Sequence, residues 1–443
     1  MPSAPLHLLG NFMSQDKTIV PEGPEMKWSN YKKYVIGILL VVYTFNFIDR
    51  QIIAILSPAI KADLGLNDTQ LGLLKGFAFA MFYSLASIPI ARLADKKNRV
   101  TIISVAVGFW SAMTALCGAA TSFLSLLAAR IGVGIGEAGC SPPAHSLVSD
   151  YFYKEERATA LGIYSLGGPF GSLFGILLGG WITATLGWRW AFVAVGLPGV
   201  LLAIIVKLTL KEPKRGNTER KAPVEVMADI SIIDSLKIMW AIKSFRILMY
   251  SAVLTAFSGY GFGMWVVDFL VRTHELSLAQ LTVPLALCIG VGGGLGTAAG
   301  GALCDKYGRK NKSTYFIFPA IVHIISIPIY VLAILSQSSL LCFAALFFVF
   351  VLHASVAGPY YALVQNLSPL KMRAFSAAFF MFMLSAIGFG LGPLYIGVLS
   401  DFFAAQSNEA LGLQWALLSL TPIWLIASII MLSGCSNLEE DLA

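Results

Sequence analysis

Twelve long apolar segments constrain this chain more than any other feature. They lie near residues 34–60, 69–91, 100–120, 123–148, 158–184, 188–209, 246–271, 278–303, 314–335, 338–364, 375–399 and 412–433. A bilayer-spanning helix needs roughly 20 mostly apolar residues, because in lipid the backbone must satisfy its own hydrogen bonds. Barrel strands would alternate over about 10 residues, and these runs are longer and more uniform. The charge content agrees. Only 12% of the 443 residues are charged and 57% are hydrophobic, whereas soluble domains carry about 25% charge. The chain has too few charges to coat a soluble core, so the expected fold is an all-α membrane protein with twelve transmembrane helices.

The basic residues predict its orientation. With a cytoplasmic amino terminus, 25 of the 31 Lys and Arg fall in inner segments and only Lys61, Arg189 and Arg272 in outer loops. That asymmetry follows the positive-inside pattern and predicts both termini in the cytoplasm of a cell (inner) membrane protein. It accounts for the net charge of +7 through the lipid bilayer, with no nucleic-acid partner. Residues 1–33 read as a cytoplasmic tail, without the apolar core of a signal peptide. The six cysteines show no metal spacing and no disulfides are expected. His323 and His353 stand alone and read as packing or cavity residues. No metal or other cofactor is expected, and the protein reads as a monomer.

Six segments precede residue 210 and six follow residue 245. The predicted organisation is a bundle at 34–209, a cytoplasmic linker at 210–245, a second bundle at 246–433 and a tail at 434–443. The linker is polar and basic, and from about 229 its apolar residues fall at helical spacing. The halves echo one another. "ARLADKKNR" at 91–99 and "GALCDKYGR" at 301–309 share Leu93/Leu303, Asp95/Asp305, Lys96/Lys306 and Arg99/Arg309 at a constant offset of 210. Asp150…Arg157 is echoed by Asn366…Arg373, and Gly168–Pro169 by Gly392–Pro393. Three echoes in the same order imply two pseudo-symmetric six-helix bundles.

The second loop, with Gly301, Leu303, Asp305, Gly308, Arg309 and Lys310, resembles the loop signature of the major facilitator superfamily. The first copy departs from it at Ala91 and Asn98. Within that superfamily, "NFIDRQ" in span 1, "ARIGVGIGEAG" in span 4, and Trp265, Phe269, Leu270 and Arg272 in span 7 resemble the spinster family, including its bacterial members. The run "GIGEAG…P…SDYF…ER" is also similar to the anion:cation symporters. The resemblance implies spans 1 and 4 beside a central cavity, and loops whose residues Asp95, Arg99, Asp305 and Arg309 hold the cytoplasmic side closed. Plain positive-inside anchoring is the alternative for those loops.

Ionisable groups deep in a bilayer cost at least ~2.5–3.5 kcal/mol each and usually face a cavity or a partner. Span 1 carries Asp49 and Arg50, and span 4 carries Arg130 and Glu137. Seven residues separate the latter pair, which places them on one helical face about 10 Å apart, with Gly134 between them. The four charges are expected to meet at similar depth, balanced until an acid takes a proton. A permanent salt bridge that only fixes packing is the alternative. In spinster-like proteins these positions are associated with proton coupling and substrate handling. The resemblance therefore implies that Glu137 and Asp49 carry protons and that Arg50 and Arg130 bind substrate; Glu137, nearer the midplane, is the preferred carrier. Lys75 in span 2 either joins the cavity or snorkels to the outer surface. Tyr260 and Trp265 in span 7 and Tyr360 in span 10 are candidate cavity residues of the second half. That half shows almost no other charge within its spans; Asp268 is placed near the outer end of span 7.

A cavity polar on one side and apolar on the other suits an amphipathic substrate. The expected function is proton-coupled secondary transport of an amphipathic lipid, lysophospholipid or sphingoid-like, by alternating access. A symporter of a small organic anion such as a sugar acid is the alternative, and a receptor that moves nothing is disfavoured by the buried charges. The run "GVGIGEAG" lies within a span without a preceding strand, so it is no dinucleotide site, and no Walker motif is present. An enzyme is not expected.

Overall fold

The computed structural model describes residues 28–216, 232–308, 310–369, 372–438 and 441. Twelve helical spans run through Asn30–Leu64, Asp68–Lys96, Arg99–Cys117, Phe123–Tyr151, Glu155–Leu186, Trp188–Thr209, Lys243–His274, Leu278–Gly308, Thr314–Leu335, Ser339–Leu367, Phe375–Ala404 and Glu409–Ser433. They are numbered 1 to 12 in that order. Their interiors coincide with the apolar segments; spans 6 and 9 have the expected bounds, most of the others extend beyond theirs at one end or both, and span 3 stops at Cys117, short of the expected 120. Span 1 starts at Asn30 because Ser29 caps it, its hydroxyl accepting from the Lys32 amide at 3.2 Å. It stops at Gly65, whose φ of 60° is left-handed and favours glycine. Asn67 then caps span 2 at once, with Gln70 returning to its backbone. Within the expected linker, Ile232–Ala241 forms a short helix, and residues 217–231 lie outside the described part.

The repeat seen in the sequence is a repeat of packing. Span 1 packs on span 5 as span 7 packs on span 11, and span 3 packs on span 6 as span 9 packs on span 12. Between the halves, span 2 meets span 11 and span 8 meets span 5, so the two seams are pseudo-two-fold mates. Spans 2, 8 and 11 each contain a π-helical turn, at Leu73–Phe77, Leu287–Gly292 and Leu384–Phe389. Such turns widen a helix and commonly sit at functional positions.

Small residues set the approach distances. A Cβ on Gly296 or Gly300 of span 8 would lie 2.0 Å from the Val351 carbonyl oxygen or 1.9 Å from that of Ser355. Spans 8 and 10 therefore touch backbone to backbone. Across the seam, a Cβ on Gly72 or Gly76 would strike the backbone oxygen of Pro393 or Phe389 at 2.7 or 2.5 Å.

An even number of spans puts both termini at one end. At the far end, hydrogen bonds join the halves. Ser57 and Lys75 donate to Asp268, Arg272 and Ser400 donate to Asp68, and Lys61 donates to Glu409. The amides of Asp68 and Thr69, the first residues of span 2, donate to the Asp401 carboxylate at 2.9 and 2.8 Å, as a carboxylate at a helix start should accept. Among the described residues, no hydrogen bond or ion pair joins the halves at the end that carries the termini. Hydrogen bonds and ion pairs thus join the halves at the far end.

Candidate functional site

Asp49, Arg130 and Glu137 are buried, and the Arg50 side chain keeps 19% of its surface exposed. The Arg50 Nε donates to Glu137 Oε2 at 2.8 Å, joining span 1 to span 4. Arg130 Nη1 donates to the main-chain oxygen of Asp49 at 3.3 Å and not to its carboxylate. Successive helical residues point about 100° apart. Arg50 therefore turns toward Phe47, Phe79 and Tyr83, with its guanidinium 5.3, 5.1 and 4.9 Å from their ring centres. Asp49 turns toward Trp110 and Thr114 of span 3. The four charges lie close together, with one ion pair formed between Arg50 and Glu137 and the Asp49 carboxylate making no ion pair with Arg130.

Several polar atoms here are buried without a hydrogen-bond partner: Asp49 Oδ1, Glu137 Oε1, Arg130 Nε and Nη2, and both amide atoms of Asn46. Buried polar groups are ordinarily satisfied, so this concentration marks a place built for something other than rigidity. Phe79 divides the two arginines, its ring 5.1 Å from Arg50 and 5.5 Å from Arg130. Gly134 makes that possible, since a Cβ there would lie 2.6 Å from the Phe79 carbonyl oxygen. Span 4 breaks just after Glu137: one helix ends there, and the next starts at Ser141 with Pro142 and Pro143 in its first turn.

A central cavity of about 330 Å³ opens between the halves. Tyr260, His353, Tyr360 and Tyr361 line it from the second half, and Gln51, the neighbour of Arg50, from the first. Met264, Ile289, Phe350, Phe380 and Leu384 make much of the remaining wall apolar. The Tyr360 hydroxyl lies 3.2 Å from Thr255 Oγ1 and 3.4 Å from Ser251 Oγ. His353 packs against Gly259, where a Cβ would meet its ring. His323 lies behind the wall, its Nε2 3.4 Å from Thr255. Among the described residues, no cluster of His, Cys, Asp and Glu could hold a metal.

Lys75 and Trp265 are elsewhere. Lys75 sits in the π turn of span 2 and donates to Asp268 Oδ2 at 2.5 Å, with neither side chain exposed. It neither reaches the cavity nor snorkels, because an acid of the opposite half holds it. Trp265 covers that pair with its ring centre 3.6 Å from Lys75 Nζ, and its indole N–H donates to the Pro393 carbonyl at 2.8 Å. Both belong to the far-end seam, and the expectation of cavity lining is corrected for them. Asp268 lies toward the far end of span 7, as expected from the sequence, and is fully buried there, so the second half contributes a buried charge to this seam.

The loop residues lie at the end that carries the termini. Asp95 and Asp305 are exposed, and Asp305 accepts from the Tyr315 hydroxyl at 3.3 Å. Arg99 is buried within its own half, where it donates to Asp150 at 2.5 Å, Glu212 at 2.7 Å and Ser146. It ties the starts of span 3 and the linker to the end of span 4, and does not bridge the halves in this conformation. Arg309 lies outside the described residues.

Sequence reasoning passed over Asp68, Asp401, Phe79, Tyr83 and Asn46. The signal for Asp68 was its place directly after the Asn67 cap, where a carboxylate would merely suit a helix start. Only folding brings Arg272 onto it bidentately, at 2.6 and 2.8 Å. The aromatic residues carried no signal, because spans are full of them.

Comparison with known proteins agrees with this architecture. Residues 39–393 match the family model for the Major Facilitator Superfamily. A crystal structure of a bacterial homologue of the human lysosomal transporter Spinster, inward-facing and unoccupied, is 31% identical. It covers 94% of this chain and 99% of its own, with a TM-score of 0.88. An MFS-type efflux pump of Mycolicibacterium smegmatis is 29% identical over 95% of each chain. A hexuronate transporter of Bacillus subtilis is 26% identical over 84% of this chain and 89% of its own. A sphingosine-1-phosphate transporter of Danio rerio is 28% identical over 54% of this chain and 47% of its own. A twelve-span chain built from two pseudo-symmetric bundles, with this family match along most of its length, belongs to the major facilitator superfamily of membrane transporters and resembles its spinster-type members.

Proposed function

We propose that this protein is a proton-coupled secondary transporter of an amphipathic anion with a lipid tail, working by alternating access with the far end outside and the near end in the cytoplasm. The observation that carries this reading is the position of Arg50. It is the one member of the cluster with exposed side-chain surface, and Glu137 balances it from span 4. An anionic head group arriving in the cavity competes with Glu137 for Arg50. Beyond it, Met264, Ile289, Phe350, Phe380 and Leu384 offer a tail an apolar wall. Asp49 has no cation on its carboxylate, and an isolated buried charge is costly. It is the proton carrier we favour, with Glu137 taking part when Arg50 is drawn away. Arg130, with free N–H groups beside Asp49, is placed to receive its carboxylate after proton release.

Transport of a small sugar acid is the second reading, favoured by the hexuronate relative. Uptake of labelled lysophospholipid and labelled hexuronate into proteoliposomes, with and without a pH gradient, separates the two. The lipid should accumulate with the gradient and the hexuronate should not. Gradient-driven hexuronate uptake without lipid movement would replace the first reading by the second.

A further inference from the structure

The first half carries a groove of about 520 Å³ between spans 2, 3 and 4, apart from the central cavity. Its sides are Ile90 and Leu93 of span 2, Val105 and Phe109 of span 3 and Ile135 of span 4. Val105 is 66% exposed and Leu93 46%, so the groove opens sideways, where acyl chains surround the protein. One end is polar. Lys97, Asn98 and Thr101 line it, and the exposed Lys207 reaches Thr101 Oγ1 at 2.6 Å. Arg215 donates to the carbonyls of Ala94 and Lys97 there, adding a third cation. Of the nearby acids, Glu212 is taken by Arg99, and Asp95, two residues from both Leu93 and Lys97, points to another face of span 2.

Along span 3 the groove runs from Thr101 to Phe109, eight residues or about 12 Å. That is less than half of a hydrocarbon core ~30 Å thick, so it fits the chain of a lipid from one leaflet. Its cationic end lies where span 2 stops and span 3 starts, at head-group level. We propose that this groove is a binding site for an anionic phospholipid, with one acyl chain against Leu93, Val105 and Ile135 and the phosphate at Lys97 and Lys207. Charge complementarity selects this occupant over a neutral lipid. The floor is formed by Gly136 and Gly139, on either side of the break that follows Glu137. A Cβ on Gly139 would lie 2.7 Å from that of Ala106. The bound chain therefore rests against the part of span 4 that presents Glu137.

Photocrosslinking tests the site. p-Benzoylphenylalanine is placed at Val105 of the full chain, and at the lipid-facing Leu201 as control, in nanodiscs of phosphatidylglycerol or phosphatidylcholine. Val105 should label phosphatidylglycerol at least roughly fivefold over phosphatidylcholine, the preference expected of a lysine beside an anionic head group. Lys97→Gln with Lys207→Gln should lower that ratio at least roughly twofold, with Arg215 left in place, while Leu201 shows no preference in either protein and reports that the variant is still folded. Native mass spectrometry of the unsubstituted protein should retain phosphatidylglycerol more readily than phosphatidylcholine. Equal labelling of both lipids, labelling indifferent to the two lysines, or crosslinks to the chain's own residues 1–27 would overturn the proposal.

Discussion

Lys75 of span 2 and Asp268 of span 7 face each other at 2.5 Å with neither side chain exposed, an ion pair buried between the two halves. Removing one partner of such a pair strands a charge and costs about 3–5 kcal/mol, whereas replacing both by apolar groups is often neutral. Asp268→Asn or Lys75→Met alone should therefore part the far end or destabilise the protein. The pair Lys75→Met with Asp268→Leu should recover closure. Spin labels at the exposed positions 186 and 337, one in each half, read this as a longer distance in the single variants and the original distance in the double one. Equal distances in all four proteins would mean the pair does not hold the end shut.

Asp49 and Glu137 should separate in their pH behaviour. Asp49→Asn mimics the protonated acid, so it should leave substrate binding intact while abolishing gradient-driven accumulation. Glu137→Gln frees Arg50, so it should strengthen anion binding at equilibrium and slow release. Counterflow and pH-driven uptake, measured side by side, check both. If both variants keep the original pH dependence, the cluster is a packing device.

Phe79 lies between Arg50 and Arg130, and a cation over an aromatic face is worth about 0.5–2 kcal/mol. Phe79→Leu retains apolar bulk and loses that attraction. It should weaken binding of the anionic substrate by about two- to thirty-fold with little change in thermal stability. A fall in melting temperature with unchanged affinity would make Phe79 a packing residue alone.

The glycines of span 8 should divide sharply. Gly296→Ala and Gly300→Ala force a methyl group into a backbone carbonyl of span 10, which no rotamer change can relieve. A Cβ on Gly294 or Gly301 would meet no neighbouring atom within 4 Å. Thermal unfolding in detergent should show a loss of several degrees for the first two, in keeping with overpacking costs of about 1–3 kcal/mol, and almost none for Gly294→Ala or Gly301→Ala.

Orientation is open to a direct measurement. In a background without native cysteines, Lys214→Cys should resist an impermeant thiol reagent in intact cells and react after permeabilisation. Rapid labelling from outside would reverse the positive-inside reading.

What the sequence determined by itself was everything that depends on period and composition. Apolar length specifies helices that cross a bilayer, the offset of 210 between Asp95 and Asp305 specifies a duplicated bundle, and a charge such as Glu137 in an oily segment marks a site. These signals are local, or they repeat along the chain. What only the tertiary structure decided was pairing. Asp49 and Arg50 are adjacent in sequence, yet the helical turn sends them to different neighbours, so Arg50 meets Glu137 while Arg130 meets a main-chain oxygen. Lys75 gave no hint of Asp268, which lies 193 residues away, and Trp265 left the cavity for the same seam. A charge in a membrane protein must find a partner or a cavity. Which one it finds depends on how two helices from different halves are rotated against each other, and no spacing within either helix records that rotation.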